Sequence, residues 1–418
     1  MGKSPIYTFI GKNAISEIVK YCKINGFNSF TLVTDQNEYR VFANKVESAL
    51  KGSGFEVQTI ILNGEPVTAD DRYLIKIMVP LDDSIRTFIS VGSGTITDMT
   101  RFLAYRMKSN FISIPTAPSM DGYASNGSAL TLDGMKKTIF SKPPVAIIAD
   151  LNVLCQSPRP MVAAGFGDTF GKFTALADWS LENLLWKGTY SIEIANRVHT
   201  NVIRCAELAQ DTESNWEEIV STLTTGLVDV GLCMLAVGSS RPASGSEHSL
   251  SHFWEMKLMR EGRPVSFHGV KVAYAATLIA RRYELIRSIG KSEVQNLLAA
   301  TPAPTREEEI ATIQKVYGAI ANEVINTQSA FLALDSNGYE QLKERIITNW
   351  DKVQSIAAKV PTEDELRKLL VKTGLPTEPE QMHLTAEDVR EAILYGHFIR
   401  NPFTVIKLSR IMGINDQI

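Results

Sequence analysis

Short apolar runs alternate with helix-like segments along residues 29 to 150. The runs are rich in β-branched residues and too short for helices, which predicts strands over residues 30–34, 57–62, 87–91, 111–114 and 145–149. The segments between them repeat apolar residues every three to four positions, which predicts helices over residues 38–52, 69–79 and 95–107. Residues 126–142 instead alternate around Asp133-Gly134, which predicts a hairpin. This order is typical of a parallel sheet with crossover helices.

The pattern changes after Pro160, where long amphipathic stretches replace the β-like runs. Thr362 and Thr385 are each followed three residues later by an acid, and we expect both to begin helices, because the hydroxyl can accept a hydrogen bond from an unpaired amide. We therefore predict an α/β domain over residues 1–155 and an all-α domain over residues 156–418.

Composition excludes several classes of protein. The chain has 418 residues, of which 44% are hydrophobic and 21% are charged, so it is predicted to be globular. Its net charge of -3 indicates no nucleic-acid partner. The chain has neither a signal-like segment nor the roughly 18 uncharged apolar residues of a membrane span, so we expect a cytoplasmic protein without a membrane partner. The four cysteines are scattered and are interpreted as packing residues.

A glycine-containing loop follows the third predicted strand. Val91 runs into Gly92-Ser93-Gly94, and a helix is expected to begin directly afterwards. The glycines would let a pyrophosphate approach the backbone, while the amides at the helix start favour an anion. The alternative is an ordinary tight turn between a strand and a helix, because the motif is neither of the standard nucleotide-binding patterns.

Two further segments fall where a parallel sheet binds ligands, at the carboxyl ends of strands. Asp35 ends the first predicted strand and could accept hydrogen bonds from ribose hydroxyls, in which case it would repel a 2'-phosphate and favour NAD over NADP. It could equally cap the following helix, and the two roles are compatible. The polar loop over residues 115–125 follows the fourth predicted strand and could line the same crevice.

Three of the six histidines fall between residues 248 and 268. His248 and His252 are four residues apart and share a helix face, and His268 follows in a loop. Asp168 stands among glycines in an apolar segment. One carboxylate and two imidazoles suit a catalytic divalent ion. The alternative is that Asp168 caps a helix and the histidines are hydrogen-bonded polar residues.

Together these segments resemble the metal-dependent polyol dehydrogenases that share a fold with dehydroquinate synthase and the iron-containing alcohol dehydrogenases, and within them the glycerol-1-phosphate dehydrogenase family. The resemblance rests on five ordered motifs, namely Gly92-Ser93-Gly94 with Thr97-Asp98, residues 115–125, Gly165-Phe166-Gly167-Asp168 with Lys172, Ser246-Glu247-His248 with His252, and Phe267-His268-Gly269. It implies a Rossmann-like dinucleotide-binding domain, an all-α metal- and substrate-binding domain, and an active site in the cleft between them.

The resemblance also assigns roles to residues. It implies metal binding by Asp168, His248 and His268, and cofactor binding by Asp35, Gly92, Ser93, Gly94, Thr97, Asp98, Thr116, Ser119 and Ser125. By the same resemblance, Asp121 and Ser125 would reach the substrate or the nicotinamide end. Asp121 or His252 would assist proton transfer, and we favour His252 as a relay that does not bind the metal.

The reaction implied is the reversible reduction of dihydroxyacetone phosphate to sn-glycerol 1-phosphate with NADH, NADPH being the second choice. A divalent ion, zinc first and nickel or iron otherwise, would polarise the carbonyl oxygen. The partners implied are a small polyol or ketose phosphate and further copies of the chain, as a dimer or larger homo-oligomer.

Two departures from the family pattern bear on the substrate. Arg101 stands where many relatives carry Lys, and Pro402 stands where a second basic residue is usual. Lys172 and Arg400 are the candidate phosphate partners, although Arg400 could instead form a surface ion pair. Dehydrogenation of another polyol or sugar phosphate, such as glycerol, is therefore the alternative. A dehydroquinate-synthase-like cyclase is disfavoured because that branch typically has Glu in place of Asp168, and a nucleotide-sensing protein without activity is the non-enzymatic alternative.

Overall fold

The structure is a computed structural model that describes residues 6–64, 66–212 and 214–416. Six strands form a parallel sheet in the order β1-β8-β5-β4-β2-β3, and β6 and β7 form a separate antiparallel hairpin. The strands are β1 (Tyr7–Gly11), β2 (Ser29–Asp35), β3 (Glu56–Leu62), β4 (Thr87–Gly92), β5 (Phe111–Pro115), β6 (Gly127–Leu132), β7 (Met135–Phe140) and β8 (Ala146–Asp150). The five predicted strands and the hairpin are confirmed, whereas β1 was not predicted.

Helices account for most of the remaining described chain. They are α1 (Ala14–Ile24), α2 (Gln36–Glu38), α3 (Asn44–Gly52), α4 (Asp71–Met78), α5 (Gly94–Arg106), α6 (Leu151–Cys155), α7 (Arg159–Phe170), α8 (Lys172–Leu181), α9 (Ile192–Leu208), α10 (Trp216–Val237), α11 (Ser246–Arg260), α12 (His268–Ser288), α13 (Lys291–Ala300), α14 (Arg306–Tyr317), α15 (Ala321–Thr327), α16 (Ser329–Leu332), α17 (Ser336–Thr348), α18 (Trp350–Ala357), α19 (Glu363–Lys372), α20 (Ala386–Tyr395) and α21 (Val405–Ile411). A 3-10 turn covers Gly122–Ala124.

Helices cover both faces of the sheet. On one face, α1 and α3 pack on alternate residues of the strands, such as Leu32 and Val91. On the other, α4 and α5 pack on the residues between them, such as Val33 and Phe88. Every residue of β4 is consequently buried, which explains why apolar residues occur on both faces of this strand.

The chain forms two compact units. The first holds the sheet, the hairpin, α1–α6, α7 up to Thr169, and residues 207–238, which include α10. The second holds residues 170–206 and the chain from Ser239 onward, and its described part contains helices and no strand. The predicted succession of an α/β region and a helical region is therefore confirmed.

The predicted helix starts at Thr362 and Thr385 are confirmed. The Thr362 hydroxyl accepts a hydrogen bond from the Glu365 amide at 3.2 Å, and the Glu365 carboxylate accepts one from the Thr362 amide at 2.8 Å. Thr385 and Asp388 repeat this reciprocal capping at the start of α20. Each cap pairs two amides that the helix itself leaves without partners.

Helix α10 is long and apolar enough to cross a membrane by length and composition alone. Asp229 interrupts its apolar residues, so the helix does not offer the uncharged apolar stretch expected of a membrane span. Within the described chain 61% of its most apolar window is buried, which is typical of a core helix in a protein of this size.

Candidate active site

The glycine loop lies at the carboxyl end of β4, where α5 begins. A Cβ atom at Gly94 would lie 2.5 Å from the Met120 sulfur, and one at Gly92, whose φ is +156°, would lie 2.8 Å from Ile96 Cγ1. Gly92 therefore requires glycine, whereas a side chain at Gly94 would force the Met120 side chain to move. The Thr97 hydroxyl is fully buried nearby in α5 and has no hydrogen-bond partner among the described residues. A buried donor of this kind fits a ligand that brings an acceptor oxygen.

Asp35 caps α2 in the structure. Its Oδ1 atom accepts hydrogen bonds from the Asn37 and Glu38 amides, both at 2.9 Å. Its Oδ2 atom makes no hydrogen bond within the described chain, which leaves an acceptor at the carboxyl end of β2. The capping alternative is thus observed, and the ribose contact stays a prediction.

The loop over residues 118–125 is held from inside the first unit by Arg101, which is fully buried. One guanidinium nitrogen donates to Asp98 Oδ1 at 2.8 Å and to the Gly127 carbonyl at 2.6 Å. The other donates to the carbonyls of Gly122 and Tyr123, at 2.6 and 3.0 Å. Burial raises the pKa of Asp98 to about 6, which its ion pair with Arg101 opposes. Asp98 therefore serves this contact, and its predicted role in cofactor binding stays a prediction.

Two glycines let the same loop pack against helices of the first unit. A Cβ atom at Gly165 of α7 would overlap the Pro118 carbonyl oxygen, and one at Gly231 of α10 would lie 2.6 Å from the Asp121 carbonyl oxygen. The Asp121 amide donates to Asp168 Oδ2 at 2.9 Å. The loop that carries Ser119 and Ser125 is thereby tied to a candidate metal ligand.

Asp168, His248 and His268 each offer one ligand atom, and these three atoms lie within 4.8 Å of one another. Asp168 is buried in the last turn of α7, a helix that is followed after one residue by α8. His248 is buried in the first turn of α11, and His268 begins α12. The predicted convergence of these three residues is present in the structure. Their function as metal ligands stays a prediction.

His252 lies beside this cluster. Its ring centroid is 6.2 Å from that of His248 and 5.6 Å from that of His268. Burial lowers the pKa of His252 well below its usual value, and the neighbouring His268 lowers it further. His252 is therefore adjacent to the candidate ligands without belonging to the group of three.

Arg400 does not form the surface ion pair that we considered. Its guanidinium donates to Ser240 Oγ at 2.8 Å and also to Ser244 Oγ, and no carboxylate of the described chain lies within ion-pair distance. Loss of hydration lowers its pKa. The charge of Arg400 also contributes to the lowered pKa of His252. Lys172 is fully buried at the start of α8.

Asp178 organises the second unit around α11, and our sequence reasoning did not find it. Its carboxylate accepts hydrogen bonds from the amides of Ser246 and Val405 and from the Tyr283 hydroxyl, each at 2.7 Å. Burial first, and then the charge of Glu247, raise its pKa to about 7. These partners are up to 227 positions away, so no local pattern marks the residue.

Comparison with known proteins places these features in a family. Residues 9–158 match the family model described as iron-containing alcohol dehydrogenase. The chain is 35% identical to glycerol-1-phosphate dehydrogenase [NAD(P)+] of Halalkalibacterium halodurans, covering 80% of this chain and 87% of that protein. It is 39% identical to the enzyme of the same name from Bacillus subtilis, covering 72% and 75% respectively.

A solved structure supports the fold. Glycerol dehydrogenase from Schizosaccharomyces pombe matches with a TM-score of 0.57 and 19% identity, covering 92% of this chain and 97% of that one. At this identity the likeness concerns the fold alone. The two relatives above show the family, and the motifs and the converging side chains agree with it. The chain belongs to the glycerol-1-phosphate dehydrogenase family, whose fold is that of the iron-containing alcohol dehydrogenases.

Proposed function

We propose that this protein catalyses the reversible, metal-dependent reduction of dihydroxyacetone phosphate to sn-glycerol 1-phosphate with NADH or NADPH. The observation that carries the proposal is the convergence of Asp168, His248 and His268, whose ligand atoms lie within 4.8 Å of one another. The two relatives named above carry this activity in their names. We further propose that the protein is a cytoplasmic homo-oligomer.

The donor set fits a divalent ion. One carboxylate and two imidazoles are the ligands of many catalytic sites that keep a coordination position open for substrate, with zinc as our first choice and nickel or iron as the others. When bound, such an ion supplies Lewis-acid polarisation of a carbonyl. The chain's own part is to hold three ligand atoms together, and the Asp121 amide helps by fixing Asp168 Oδ2.

The cofactor proposal rests on the first unit. Gly92, Ser93 and Gly94 would hold the pyrophosphate, and the unpaired Thr97 hydroxyl would donate to it. The free Oδ2 of Asp35 would accept from the ribose hydroxyls, so we propose a preference for NAD(H) over NADP(H). We propose further nucleotide contacts for Asp98, Thr116, Ser119 and Ser125. When bound, the nicotinamide supplies the hydride.

His252 and Asp121 are the proposed proton-handling residues. We expect His252→Ala to retain the metal content of the protein and to lower turnover by about 100-fold or more, because a positioned acid or base contributes at least that factor. Metal analysis and NADH oxidation check this expectation. His199→Ala, which changes an exposed histidine on α9, is the matched control and should leave both quantities unchanged. Loss of metal from His252→Ala would show instead that His252 is a ligand.

Arg400 is the proposed partner of the substrate phosphate, with Lys172 as the second candidate. A guanidinium whose only side-chain partners in the described chain are two serine hydroxyls retains unused capacity for an anion. Arg400→Met is therefore expected to lower kcat/KM for dihydroxyacetone phosphate by about 10- to 100-fold, the equivalent of one or two hydrogen bonds to a charged group. Turnover of unphosphorylated dihydroxyacetone should change less than about twofold.

Arg390→Met, on the exposed face of α20, is the control for this substitution and should leave both substrates unaffected. Equal losses on the two ketones in Arg400→Met would contradict a phosphate contact at this position.

The experiment that tests the proposed function is a substrate comparison with the zinc-loaded wild-type protein. We expect NADH oxidation with dihydroxyacetone phosphate to exceed that with dihydroxyacetone, and NADH to be used better than NADPH. Preference for dihydroxyacetone, or for glycerol in the reverse direction, would instead support the alternative of a free-polyol dehydrogenase. Pro402, where relatives usually carry a basic residue, would then account for the missing phosphate affinity.

A further inference from the structure

Glu247 is a fully buried carboxylate that immediately precedes a candidate metal ligand. Its Oε1 atom lies 2.7 Å from His248 Nδ1 and accepts a hydrogen bond from the Gly245 amide at 2.7 Å. Its Oε2 atom accepts a hydrogen bond from the Thr174 hydroxyl, also at 2.7 Å. Both oxygens thus act as acceptors, in a position that no solvent reaches.

The surroundings hold this carboxylate at the start of α11. A Cβ atom at Gly245 would lie 2.6 Å from Asp178 Oδ2 and 3.0 Å from Glu247 Oε2, so a glycine is required between the two acids. Asp178 in turn accepts the Ser246 amide at 2.7 Å, which fixes the first turn of the helix. Glu247 therefore has one defined orientation, aimed at His248.

The contact decides which nitrogen of His248 carries a proton. A carboxylate that accepts at Oε1 requires a donor, so Nδ1 must be protonated. In a neutral imidazole the lone pair then lies on Nε2, and a metal binds a histidine through the nitrogen that carries the lone pair. The same hydrogen bond fixes the plane of the ring.

We infer that Glu247 is a positioning residue, which holds His248 as the Nδ1-protonated tautomer so that Nε2 binds the divalent ion, and that Thr174 holds Glu247 in place. The inference rests on the proposed function, since it requires that His248 binds a divalent ion. It also predicts an order of effects, in which loss of the acceptor at position 247 is worse than loss of its charge.

The test compares two substitutions of the full-length protein. Glu247→Gln keeps an acceptor oxygen and loses the charge, whereas Glu247→Leu loses both. We expect the dissociation constant for Zn²⁺, measured by competition with a chelator, to rise about 10-fold in Glu247→Gln and about 100-fold in Glu247→Leu, the range found for partners of metal-bound histidines. Thr174→Val, which leaves the His248 contact intact, should raise it less than Glu247→Leu does.

The second measurement reports the tautomer directly. The protein has six histidines, so selective ¹⁵N-histidine labelling gives a small set of ring signals, in which His248 is identified by its loss in His248→Gln. With Zn²⁺ bound, the wild type and Glu247→Gln should show Nδ1 protonated and Nε2 coordinated. The metal-free Glu247→Leu should show a mixture of tautomers, because nothing fixes the proton.

Two results would overturn the inference. One is wild-type Zn²⁺ affinity in Glu247→Leu, and the other is coordination of zinc through Nδ1 of His248 in the wild type. Either result would leave the proposed function intact if the wild-type enzyme still needs zinc. Failure of the wild type to bind Zn²⁺, Ni²⁺ and Fe²⁺ alike would instead remove the proposed function together with this inference.

Discussion

Asp168→Asn is expected to reduce kcat/KM for dihydroxyacetone phosphate by at least about 1,000-fold. A metal ion at such a site contributes several kcal/mol to catalysis, and every 1.36 kcal/mol corresponds to a factor of ten in rate. The amide is nearly the same shape as the carboxylate and can still accept the Asp121 amide at one oxygen, but it lacks the charge that binds a divalent ion. Metal content per chain should therefore fall together with turnover, and both are measured on the same preparation.

Asp351→Asn is the matched control for this prediction. Asp351 lies in α18 with 79% of its side chain exposed, so the same chemical change should leave metal content and turnover unaffected. The unfolding midpoint of metal-free Asp168→Asn should remain near that of the metal-free wild type. Wild-type metal content and turnover in Asp168→Asn would mean that this carboxylate is not a ligand.

Arg101→Met is expected to lower the free energy of unfolding by about 3 to 5 kcal/mol. Removing one partner of a buried ion pair leaves the other charge without compensation, and here Asp98 is the residue left behind. The carbonyls of Gly122, Tyr123 and Gly127 lose their donor at the same time. The loss is measured by chemical denaturation. Turnover should fall as well, because the 118–125 loop loses the hydrogen bonds from Arg101 that hold it.

Arg101→Lys separates charge from hydrogen-bonding geometry. Lysine keeps the positive charge near Asp98, but its three donors sit on one nitrogen and cannot match a guanidinium that contacts one carboxylate and three carbonyls. Its stability should lie between those of Arg101→Met and the wild type. Arg106→Met, at an exposed position of the same helix, should cost less than about 0.5 kcal/mol. A loss below 1 kcal/mol in Arg101→Met would contradict the structural role assigned to this side chain.

Local patterns predicted the central strands of the sheet correctly because helices pack on both faces of these strands and bury them. The run from Thr87 to Val91 has apolar residues on both faces of the strand, at Phe88, Ile89 and Val91, and the structure buries all of β4 between two helical layers. The strand β1 was missed for the opposite reason. It lies at the edge of the sheet, pairs with β8 alone, and its residues are exposed or half-buried.

The site was predicted only in part, because a local pattern indicates which face of an element is buried and not which element lies opposite. The spacing of His248 and His252 puts both on one helix face, and only the family resemblance favoured His248 as a ligand and His252 as a relay. In the structure His248 belongs to the group with Asp168 and His268, and His252 does not. Spacing alone could not distinguish these two histidines. The position of Glu247 directly before His248 could have indicated its role, since carboxylates commonly orient metal-binding histidines.

Contacts between distant residues explain the remaining misses. The sequence comparison noted only that Arg101 keeps the positive charge of the usual Lys. In the structure its guanidinium donates hydrogen bonds to carbonyls 21 to 26 positions away. Arg400 was weighed against a surface ion pair, and its actual partners, Ser240 and Ser244, lie about 160 positions earlier. Such pairings depend on how the helices of the second unit pack, which no single segment encodes.

The most direct test of the account uses the wild-type protein with dihydroxyacetone phosphate and NADH. The protein is stripped of metal with a chelator, assayed by the loss of NADH absorbance, reloaded with Zn²⁺ and assayed again, and the product is identified by its chirality. We expect turnover to disappear on stripping, to return on reloading, and to yield sn-glycerol 1-phosphate. Turnover that survives complete removal of metal, or no turnover of this ketone by the zinc-replete protein, would contradict it.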